Sequence, residues 1–481
     1  MDKQPNVIMI LADDMGFWSL GTRGNQEVQT PHIDALARSG VDFVNCYCVS
    51  PVCSPARASL LTGRIPSQHG VLDWIRQGSE DKNGDRSVEY LQGMLGFSDV
   101  LHDNGYDCAL IGKWHLGDSA HPQKGFTHWI TMPKGSDSYY GARMYRNGVE
   151  EIVPGYLTDF LADEATHYLE SRAGEDRPFF LSLNFSAPHR PWHKSQHPRE
   201  VWSQYDDCEF STFPRLPRHP DQINNGVYPQ EDVNEMIQGY CTSLTAADAA
   251  IGRVLARLED LGLTEDTLVI FTSDNGMSLG HHGIYGKGNA TYPQNMYDQA
   301  VRVPFIMAQP GKITPRASTA LVSHYDFCPT LLEYLGIDAK VGDNLPGRSF
   351  LPILTGPDDT QDRDVVVFDE YGPVRMLRDS RWKFIWRVGD WPNELYDMTE
   401  DPDELNDLIH SPEHADIAAE LEQRMVAWFE QYVDPARDGT KQPVFGRGQI
   451  ARVDANDTDG APFADDWFYQ SSGGEDSGPT L

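Results

Sequence analysis

Cys53 begins a stretch that combines a nucleophile with a cation, because Arg57 follows four residues later. Pro55 lies between them and suits the first turn of a helix, where its missing N–H costs no hydrogen bond. The sequence therefore predicts a helix that starts here, with Cys53 or Ser54 at its cap. A thiol beside the free N–H groups of a helix start, with Arg57 one turn along the same face, is placed to attack an anion. For an isolated cysteine near a proline, however, an inert buried side chain is the more common case.

Further polar side chains follow four continuous apolar runs. Such runs are typical of strands that are buried on both faces of a parallel sheet. Ligands of α/β proteins bind at the carboxyl ends of these strands, so we expect the polar side chains to meet there. The runs and the residues after them are 6–11 with Asp13 and Asp14, 108–112 with Lys113 and His115, 178–183 with His189, and 267–272 with Asp274 and Asn275. A glycine-rich loop after the last run carries Lys287.

Asp13, Asp14, Asp274 and Asn275 offer only oxygen atoms to a metal ion. Hard cations prefer such ligands, whereas zinc in proteins is usually held by His and Cys. The sequence therefore predicts a site for Ca²⁺, with Mg²⁺ as the second choice. Adjacent side chains point to opposite sides of an ideal strand, so both aspartates can face one ion only after the strand has turned out of the sheet.

The pattern Cys53-x-Pro55-x-Arg57, followed by the residues from Ala58 to Arg64, resembles the signature of the type I sulfatases in the alkaline phosphatase superfamily. The resemblance extends from position 6 to about position 408, with other family-like blocks in the expected order. It implies that a maturation enzyme oxidises Cys53 to formylglycine, whose hydrated aldehyde is the catalytic nucleophile. It also implies that the four oxygen-bearing side chains are metal ligands, with the modified residue 53 as a further ligand.

The resemblance implies a two-step hydrolysis of a sulfate ester. One hydroxyl of the hydrated residue 53 attacks sulfur in line and forms a sulfo-enzyme intermediate. The second hydroxyl, deprotonated by His115, then expels sulfate and regenerates the aldehyde. His189 would donate a proton to the departing alcohol, with Lys287 as its helper. Positive charge around residue 53 and the sulfate oxygens would come from Lys113, Lys287 and Arg57.

Loops around this centre contain aromatic residues, which stack on sugars, and arginines, which pair with carboxylates or further sulfates. We therefore expect a sulfated carbohydrate as the substrate, with contacts from His69, Trp74, Arg76, Arg143, Arg190, His193 and His282. For each of these residues singly, an ordinary role in a loop or in packing explains its presence equally well. The irregular segments 119–155 and 195–230 would wall the pocket with Trp129, Tyr139, Tyr140, Trp192 and Trp202.

The 481-residue chain has a formal net charge of −33. Such a charge repels nucleic acids and long sulfated polymers at a distance, so the attraction of an anionic substrate must be local. We therefore expect no nucleic-acid partner, and we expect exo-action on short oligosaccharides from polysaccharide breakdown. No apolar run approaches the roughly 20 residues of a membrane helix, so we expect no membrane partner either.

Seven cysteines without framework spacing indicate mostly reduced thiols. The first strand-like run begins at Asn6, which leaves no room for a signal peptide ahead of it. The sequence as it stands predicts a cytoplasmic protein, or a periplasmic or secreted one if a leader has been removed. It does not indicate the oligomeric state.

Strand-like runs that alternate with helical patterns predict an α/β fold. We expect a large, mixed, mostly parallel sheet sandwiched by helices, as in alkaline phosphatase, with a smaller C-terminal α+β subdomain. The predicted parts are a catalytic domain at 1–363, an antiparallel-sheet-plus-helix subdomain at 364–445 and an acidic tail at 446–481. Beyond Arg452 the tail has no basic residue, so we expect it to be weakly ordered or held only by the aromatic residues 467–469.

Three classes of function compete. The leading class is a sulfatase for a sulfated sugar, with an arylsulfatase-like enzyme for small molecules as its variant. The second class is an enzyme of phosphoryl chemistry, because phosphonate monoester hydrolases and phosphodiesterases share the fold. Related phosphatases usually have a Ser or Thr nucleophile and bind zinc through extra histidines, so Cys53 and the oxygen ligands argue against that version. The complete set of charged catalytic positions argues against the third class, a non-catalytic binding protein.

Overall fold

The computed structural model of the protein describes residues 4–76, 88–223, 232–356, 367–453 and 461–463. In these residues the strands are β1 Asn6–Ala12, β2 Val41–Tyr47, β3 Asp107–Gly112, β4 His128–Thr131, β5 Arg143–Arg146, β6 Val149–Ile152, β7 Phe179–Asn184, β8 Thr267–Ser273, β9 Ser278–Leu279, β10 Tyr285–Gly286, β11 Arg302–Val303, β12 Phe305–Ala308, β13 Arg316–Ser323, β14 Val367–Tyr371, β15 Val374–Arg378, β16 Trp382–Arg387 and β17 Glu394–Asp397. The helices are α1 Pro31–Ser39, α2 Cys53–Thr62, α3 Pro66–His69, α4 Phe97–Asp103, α5 Leu157–Arg172, α6 Arg199–Trp202, α7 Val233–Asp260, α8 Asp298–Val301, α9 Phe327–Tyr334, α10 Leu351–Thr355 and α11 Ala415–Tyr432.

Four adjacent parallel strands form the centre of the large sheet, in the order β8, β1, β7 and β3. Apart from Asp107 at the start of β3, every residue in them is buried, as their continuous apolar runs predict. Ala12 lies opposite Ser273, and Leu11 and Gly112 both lie opposite Asn184. The chain therefore leaves all four strands at the same edge of the sheet.

The outer strands make the sheet mixed. β11 and β12 are separated by Pro304 and run antiparallel to β2, and β12 also runs antiparallel to β8. β13 is parallel to β2, and at the other end β4, β5 and β6 complete the sheet, the last two as an antiparallel hairpin. The predicted mixed, mostly parallel sheet is confirmed, although segment 119–155 contains regular strands where we expected an irregular insertion.

Helices cover both faces of the sheet. Side chains of β1 point alternately to the two faces, so each face presents apolar side chains for helices to pack against. Val7, Met9 and Leu11 face a core shared with α2, α4 and α9, whereas Ile8 and Ile10 face a core shared with α1, α5 and α7. Within the described residues no helix is long and apolar enough to cross a membrane. The seven cysteines are unpaired.

The smaller C-terminal subdomain consists of the antiparallel sheet β14 to β17 and the long helix α11. Its core joins Phe368, Leu377 and Leu421 to residues of the larger domain such as Tyr325. Lys383 of β16 is completely buried and pairs with Asp298 of the larger domain at 2.9 Å. A buried ion pair and an apolar core therefore join the two parts.

The chain after α11 returns to the larger domain. Residues 446–453 pack against residues 70–76, and Gln449 forms a parallel bridge with Ile75. The first part of the predicted tail is therefore ordered, because its backbone and side chains find partners in another segment. The domain boundaries at 363 and 445 stay predictions, and residues 357–366, 454–460 and 464–481 lie outside the described part.

Candidate active site

Asp13 and Asp14 directly follow β1, and Asp274 and Asn275 directly follow the neighbouring strand β8. Since the strands are parallel and in register, both pairs emerge at the same edge. Asp14 has a φ of 62°, in the left-handed region that non-glycine residues rarely adopt. This turn of the backbone lets the second carboxylate reach the same point as the first.

The three carboxylates are buried and close together. One oxygen each of Asp13, Asp14 and Asp274 lie within 4.8 Å of one another. Asn275 Nδ2 donates a hydrogen bond of 2.9 Å to Asp14 Oδ1, and the Asp14 N–H donates one of 3.1 Å to Asp274 Oδ1. Asp13 Oδ1 and Asn275 Oδ1 have no hydrogen-bond partner in the described part of the chain, although both are buried. Buried oxygens of this kind are costly unless a cation or another donor satisfies them.

Cys53 is the first residue of α2, and Pro55 lies in the first turn. The cap is Val52, so the predicted helix start is one or two residues late. Cys53 Sγ lies 2.7 Å from Lys287 Nζ and 3.8 Å from Asp14 Oδ1, and the Lys287 ammonium also donates to Asp14 Oδ1. The helix start therefore places the sulfur beside the carboxylates and in contact with a cation.

Lys113 and Arg57 provide two more buried cations. Lys113 Nζ donates to Asp13 Oδ2 at 2.6 Å, and Arg57 Nε donates to Asp274 Oδ2 at 2.8 Å. Arg57 Nη1 also donates to the Lys113 carbonyl at 3.1 Å, which links α2 to the end of β3. Each cation is therefore fixed by a carboxylate and does not extend into solvent.

The two histidines have defined tautomers because each donates to a backbone carbonyl, which can only accept. His115 Nε2 lies 2.8 Å from the Ile75 carbonyl, so Nε2 carries the proton. His115 Nδ1 has no hydrogen-bond partner within the described residues. His189 Nδ1 lies 2.7 Å from the Arg190 carbonyl, and its Nε2 lies 3.6 Å from Asp14 Oδ2. Each histidine therefore keeps one nitrogen for the site.

Burial and close charges shift the pKa values of the acids in different directions. Burial raises the pKa of Asp13 to about 7, although Lys113 opposes the shift. Burial also acts on Asp14 and Asp274, but Lys287 and Arg57, respectively, hold the pKa values of these two carboxyls below their usual range. Asp13 is therefore the carboxyl whose charge depends most on a further cation.

Burial raises the pKa of the Cys53 thiol to about 12, even though Lys113 and Lys287 favour the thiolate. Burial lowers the pKa of His189 to about 3 and holds that of His115 well below its usual range, with Lys113 acting in the same direction on both. Burial disfavours the charge on Lys287, but the nearby acidic groups, with Asp14 first among them, together outweigh burial and raise the pKa of that ammonium. The protein groups of the site thus comprise neutral histidines, a neutral thiol and a charged Lys287.

A protein-family model described as Sulfatase matches residues 5–337, which is more than half of the chain. The chain belongs to the sulfatase family. A second model, described as the C-terminal part of N-sulphoglucosamine sulphohydrolase, matches residues 280–431 of this sulfatase.

Known relatives cover almost the whole sulfatase chain. The N-acetylglucosamine-6-O-sulfatase of Bacteroides thetaiotaomicron is 26% identical over 92% of this chain and 89% of its own. A ulvan-active sulfatase of Formosa agariphila is 30% identical over 88% of this chain and 80% of its own. One solved structure shows a protein in complex with its substrate, D-glucosamine-2-N,6-O-disulfate. That protein is 26% identical to this chain, and the two structures match with a TM-score of 0.76 over 92% of this chain and 100% of that one.

These comparisons confirm the family, the fold and the enzyme class predicted from the sequence. This sulfatase is a sulfuric ester hydrolase with an α/β catalytic domain and a smaller C-terminal sheet subdomain. Sulfatases in general use a formylglycine and a metal ion, and the acidic cluster of this sulfatase is a suitable place for the metal.

The donors fit a hard cation. One atom each of Asp13, Cys53 and His189 also lie within 4.8 Å of one another. This second group contains a sulfur and a ring nitrogen, which are softer donors than carboxylate oxygens. Within the cluster, however, the buried oxygens that have no hydrogen-bond partner among the described residues include Asp13 Oδ1 and Asn275 Oδ1. The oxygen-only set therefore offers acceptors to a further cation, and a hard ion such as Ca²⁺ matches it better than zinc.

The structure does not bring His69 to this cluster. His69 is buried, its Nε2 lies 3.0 Å from Ser59 Oγ in α2, and its Nδ1 accepts from the Val71 N–H at 3.1 Å. Both ring nitrogens are therefore used inside the protein, as in a structural histidine.

Of the other six residues predicted to contact substrate, Arg143 begins β5 and five lie outside the strands and α-helices. Arg190 follows His189, and Trp74 and Arg76 lie beside Gly446 and Gly448. His193 is exposed, Arg143 pairs with Asp137 at 3.5 Å, and His282 stacks on Tyr297 with ring centroids 3.9 Å apart. Their roles in binding stay predictions.

The aromatic residues expected to wall the pocket differ in exposure, and their role as a wall stays a prediction. Tyr140 is exposed, but Trp129, Tyr139, Trp192 and Trp202 are buried and pack inside the domain. Tyr139 nevertheless supports the site, because its hydroxyl donates to the His189 carbonyl at 2.7 Å. A tyrosine in a segment without clear hydrophobic periodicity gives no sequence signal for such a contact.

Sequence reasoning also missed the groups that hold Lys113 and His115. Asn184 Nδ2 donates to the Lys113 carbonyl at 3.0 Å, and the Ile75 carbonyl accepts from His115. Asn184 could have been found, because it is the polar end of a buried apolar run. Ile75 acts through its backbone, which leaves no trace in the residue type.

Proposed function

We propose that this sulfatase removes a sulfate group from a sulfated sugar, using a formylglycine made from Cys53 and a bound Ca²⁺. The observation that carries the proposal is the position of Cys53 at the buried start of α2, with Sγ 2.7 Å from Lys287 Nζ and 3.8 Å from Asp14 Oδ1. Burial raises the pKa of the thiol to about 12, so the unmodified side chain would be a poor nucleophile. The formylglycine hydrate would supply the hydroxyl that attacks sulfur.

Asp13, Asp14, Asp274 and Asn275 would hold the cation through their oxygens. A divalent ion there would stabilise charge on the sulfate oxygens and favour an ionised hydroxyl at residue 53. Mg²⁺ remains the second choice.

The balance of buried charge explains how an acidic protein can bind an anion. The three carboxylates of the cluster face three cations, which are Arg57, Lys113 and Lys287. The protein groups alone are therefore close to neutral, and a divalent cation would make the site positive. An anionic sulfate ester then gains attraction inside the site that the surface of the protein does not provide.

His115 is suited to accept a proton at Nδ1. Its Nε2–H donates to the Ile75 carbonyl, and burial with Lys113 nearby keeps the pKa of His115 well below its usual range. The unprotonated Nδ1 has no hydrogen-bond partner among the described residues. His115 can therefore take the proton from the second hydroxyl of residue 53 when sulfate is expelled.

His189 presents Nε2 towards Asp14 and would give a proton to the departing alcohol. Burial lowers its pKa to about 3, so the ring must gain the proton when the anionic ester binds beside it. Lys287 stays protonated, because Asp14 and the other nearby acidic groups together outweigh burial and raise its pKa, and it can help the leaving group.

A sugar substrate is supported by the names of the relatives. An N-acetylglucosamine-6-O-sulfatase, an ulvan-active sulfatase and a complex with D-glucosamine-2-N,6-O-disulfate share 26 to 30% identity with this chain over most of its length. The exposed ring of Tyr140 is of a type that stacks on sugars, and the cations near His189, which are Lys113, Lys287 and Arg190, are of types that bind sulfate groups. We propose a short oligosaccharide as the substrate, with removal of sulfate from its end residue.

A matched panel of substrates tests this proposal. Sulfated mono- and disaccharides, an aryl sulfate, an aryl phosphate and an aryl phosphonate monoester are compared by kcat/KM. We expect the highest value for a sulfated saccharide. A phosphonate monoester as the best substrate would overturn the proposal, and an aryl sulfate as the best substrate would limit it to small-molecule esters.

A further inference from the structure

Residues 446–451, which we call the C-terminal strap, lie beside the loop at 70–76. The Gln449 N–H donates to the Trp74 carbonyl at 2.8 Å, and the Arg76 N–H donates to the Gln449 carbonyl at 3.0 Å. The strap follows α11 in sequence, more than 370 residues after the loop that it contacts. The strap therefore binds a segment next to the helix that carries Cys53.

The side chain of Gln449 makes this contact specific. It is completely buried, and Oε1 accepts from the N–H groups of Leu72 at 2.8 Å and Asp73 at 3.4 Å. Nε2 donates to the carbonyls of Gly70 at 2.9 Å and Ala451 at 2.8 Å. A glutamine amide has two donors and a two-fold acceptor, so this side chain is fully satisfied by backbone groups.

The loop held by Gln449 contacts the catalytic groups directly. The Ile75 carbonyl accepts from His115 Nε2 at 2.8 Å, and the Ile75 N–H donates to Ser54 Oγ at 3.0 Å. Ser54 is adjacent to Cys53. Movement of this loop would therefore change the direction of the His115 ring and release the nitrogen that now carries its proton.

His115 depends strongly on this one contact. Its φ of 58° is unusual for a non-glycine residue, and Gly135 packs so closely that an added Cβ would lie 2.3 Å from the ring. In the described residues the Ile75 carbonyl is the hydrogen-bond partner of the ring, and Nδ1 has none. The tautomer of His115 therefore follows from the position of Ile75.

We propose that Gln449 is a positioning residue for His115, acting through the loop at 70–76. The inference depends on the role of His115 as a base, which is part of the function proposed above. A purely structural role would make Gln449 important for stability but not for the tautomer or the chemical step. Outer groups that orient metal-binding side chains typically affect activity by about 10- to 100-fold, and we expect an effect of the same order here.

Two variants and one control separate these roles. Gln449→Ala removes the four side-chain hydrogen bonds, and Gln449→Met removes them while filling the space. Gln309→Ala is the control, because Gln309 is also a buried glutamine and bonds Glu265 and Tyr334 away from this loop. Thermal unfolding is measured for all three.

The decisive readout is the histidine tautomer, observed by nitrogen NMR on protein with ¹⁵N-labelled histidine. The His115 signals are assigned by their loss in His115→Ala. We expect a single tautomer with the proton on Nε2 in the wild type and in Gln309→Ala, and a mixture of tautomers in both Gln449 variants. In activity on an aryl sulfate or sulfated saccharide, we expect kcat to fall about 10- to 100-fold with KM nearly unchanged.

A single Nε2–H tautomer in Gln449→Ala or Gln449→Met, with only stability reduced, would overturn the proposal. Failure of both variants to fold would also overturn it, since Gln449 would then serve the fold alone. The tautomer readout requires no turnover. A shifted tautomer with no effect on kcat would contradict the proposed role of His115 while leaving the positioning by Gln449 intact.

Discussion

Cys53, Lys287 and Asp14 form the most informative contacts in the site. The sulfur touches an ammonium, and the ammonium donates to a carboxylate, all of them buried. Burial raises the pKa of the thiol to about 12, so a neutral cysteine fills the position until it is modified. The chemistry of this residue therefore depends on its conversion and on the groups around it.

Cys53→Ala should abolish turnover and leave the fold intact, because α2 tolerates alanine at its first turn while the nucleophile is lost. Sulfate release and thermal unfolding check this expectation. Cys241→Ala is the control, since Cys241 is a buried cysteine of α7. A Cys53→Ala variant that keeps more than a small percentage of wild-type activity would contradict the mechanism.

One tightly bound Ca²⁺ per chain is expected from the oxygen-only cluster. A chelator should lower both activity and the temperature of unfolding, because it removes a ligand that binds only the folded state. Added Ca²⁺ should restore both more effectively than Mg²⁺. Elemental analysis that finds stoichiometric zinc would contradict this prediction and favour a phosphatase-like site.

The strands and helices that position the site could largely be predicted from the sequence. The four buried runs end in polar residues, and parallel strands bring those ends to one edge, so Asp13, Lys113, His189 and Asp274 were expected to meet. The left-handed turn at Asp14 was expected in outline from the need to turn out of the sheet.

Contacts distant in sequence could not be predicted. The antiparallel pairing of β12, the strands in segment 119–155 and the docking of Gln449 on residues 70–76 depend on tertiary partners, not on local patterns. His69 was expected near the substrate because it lies in a loop close to Cys53 in sequence. The ring nitrogens of His69 instead bond Ser59 and Val71, so this residue is buried although it is close to Cys53 in sequence.

Gly112→Ala tests whether the end of β3 must be a glycine for Lys113 to reach Asp13. Gly112 has a φ of 117°, and an added Cβ would lie 1.9 Å from the Asn184 carbonyl oxygen. We expect the variant to be less stable and about 100-fold less active, because Lys113 is displaced.

The matched control for this variant is Gly174→Ala. Gly174 has a φ of 82° and no atom within 4 Å of an added Cβ, so it should cost only the conformational strain of about 1–2 kcal/mol. Equal stability and equal activity of the two variants would contradict the proposed importance of the close approach at Gly112.

Over the whole molecule negative charge is in excess, whereas at the active site positive and negative side chains are nearly equal in number. The chain carries a net charge of −33, whereas Arg57, Lys113 and Lys287 offset the carboxylates of the cluster. Fields from surface charges are screened beyond about 8 Å at physiological salt. A compact anion inside the site is therefore attracted, while the rest of a long polymer meets repulsion.

Substrate length should consequently matter. We expect faster sulfate release from enzymatic di- and tetrasaccharides than from the intact sulfated polysaccharide, at matched concentrations of sulfate ester. The difference should shrink as salt is added, because screening weakens the repulsion of the polymer. Equal or faster release from the polymer at both low and moderate salt would refute this electrostatic explanation.

The state of residue 53 in active protein is the most direct measurement of the mechanism. The tryptic peptide 39–57 also contains Cys46 and Cys48, which serve as internal reference thiols. After alkylation, mass spectrometry of fully active protein should show two alkylated cysteines and an aldehyde at position 53. Activity should rise in proportion to the aldehyde fraction among preparations made with different amounts of maturation enzyme. A preparation that hydrolyses sulfate esters at the full rate with all three thiols intact would contradict a formylglycine mechanism.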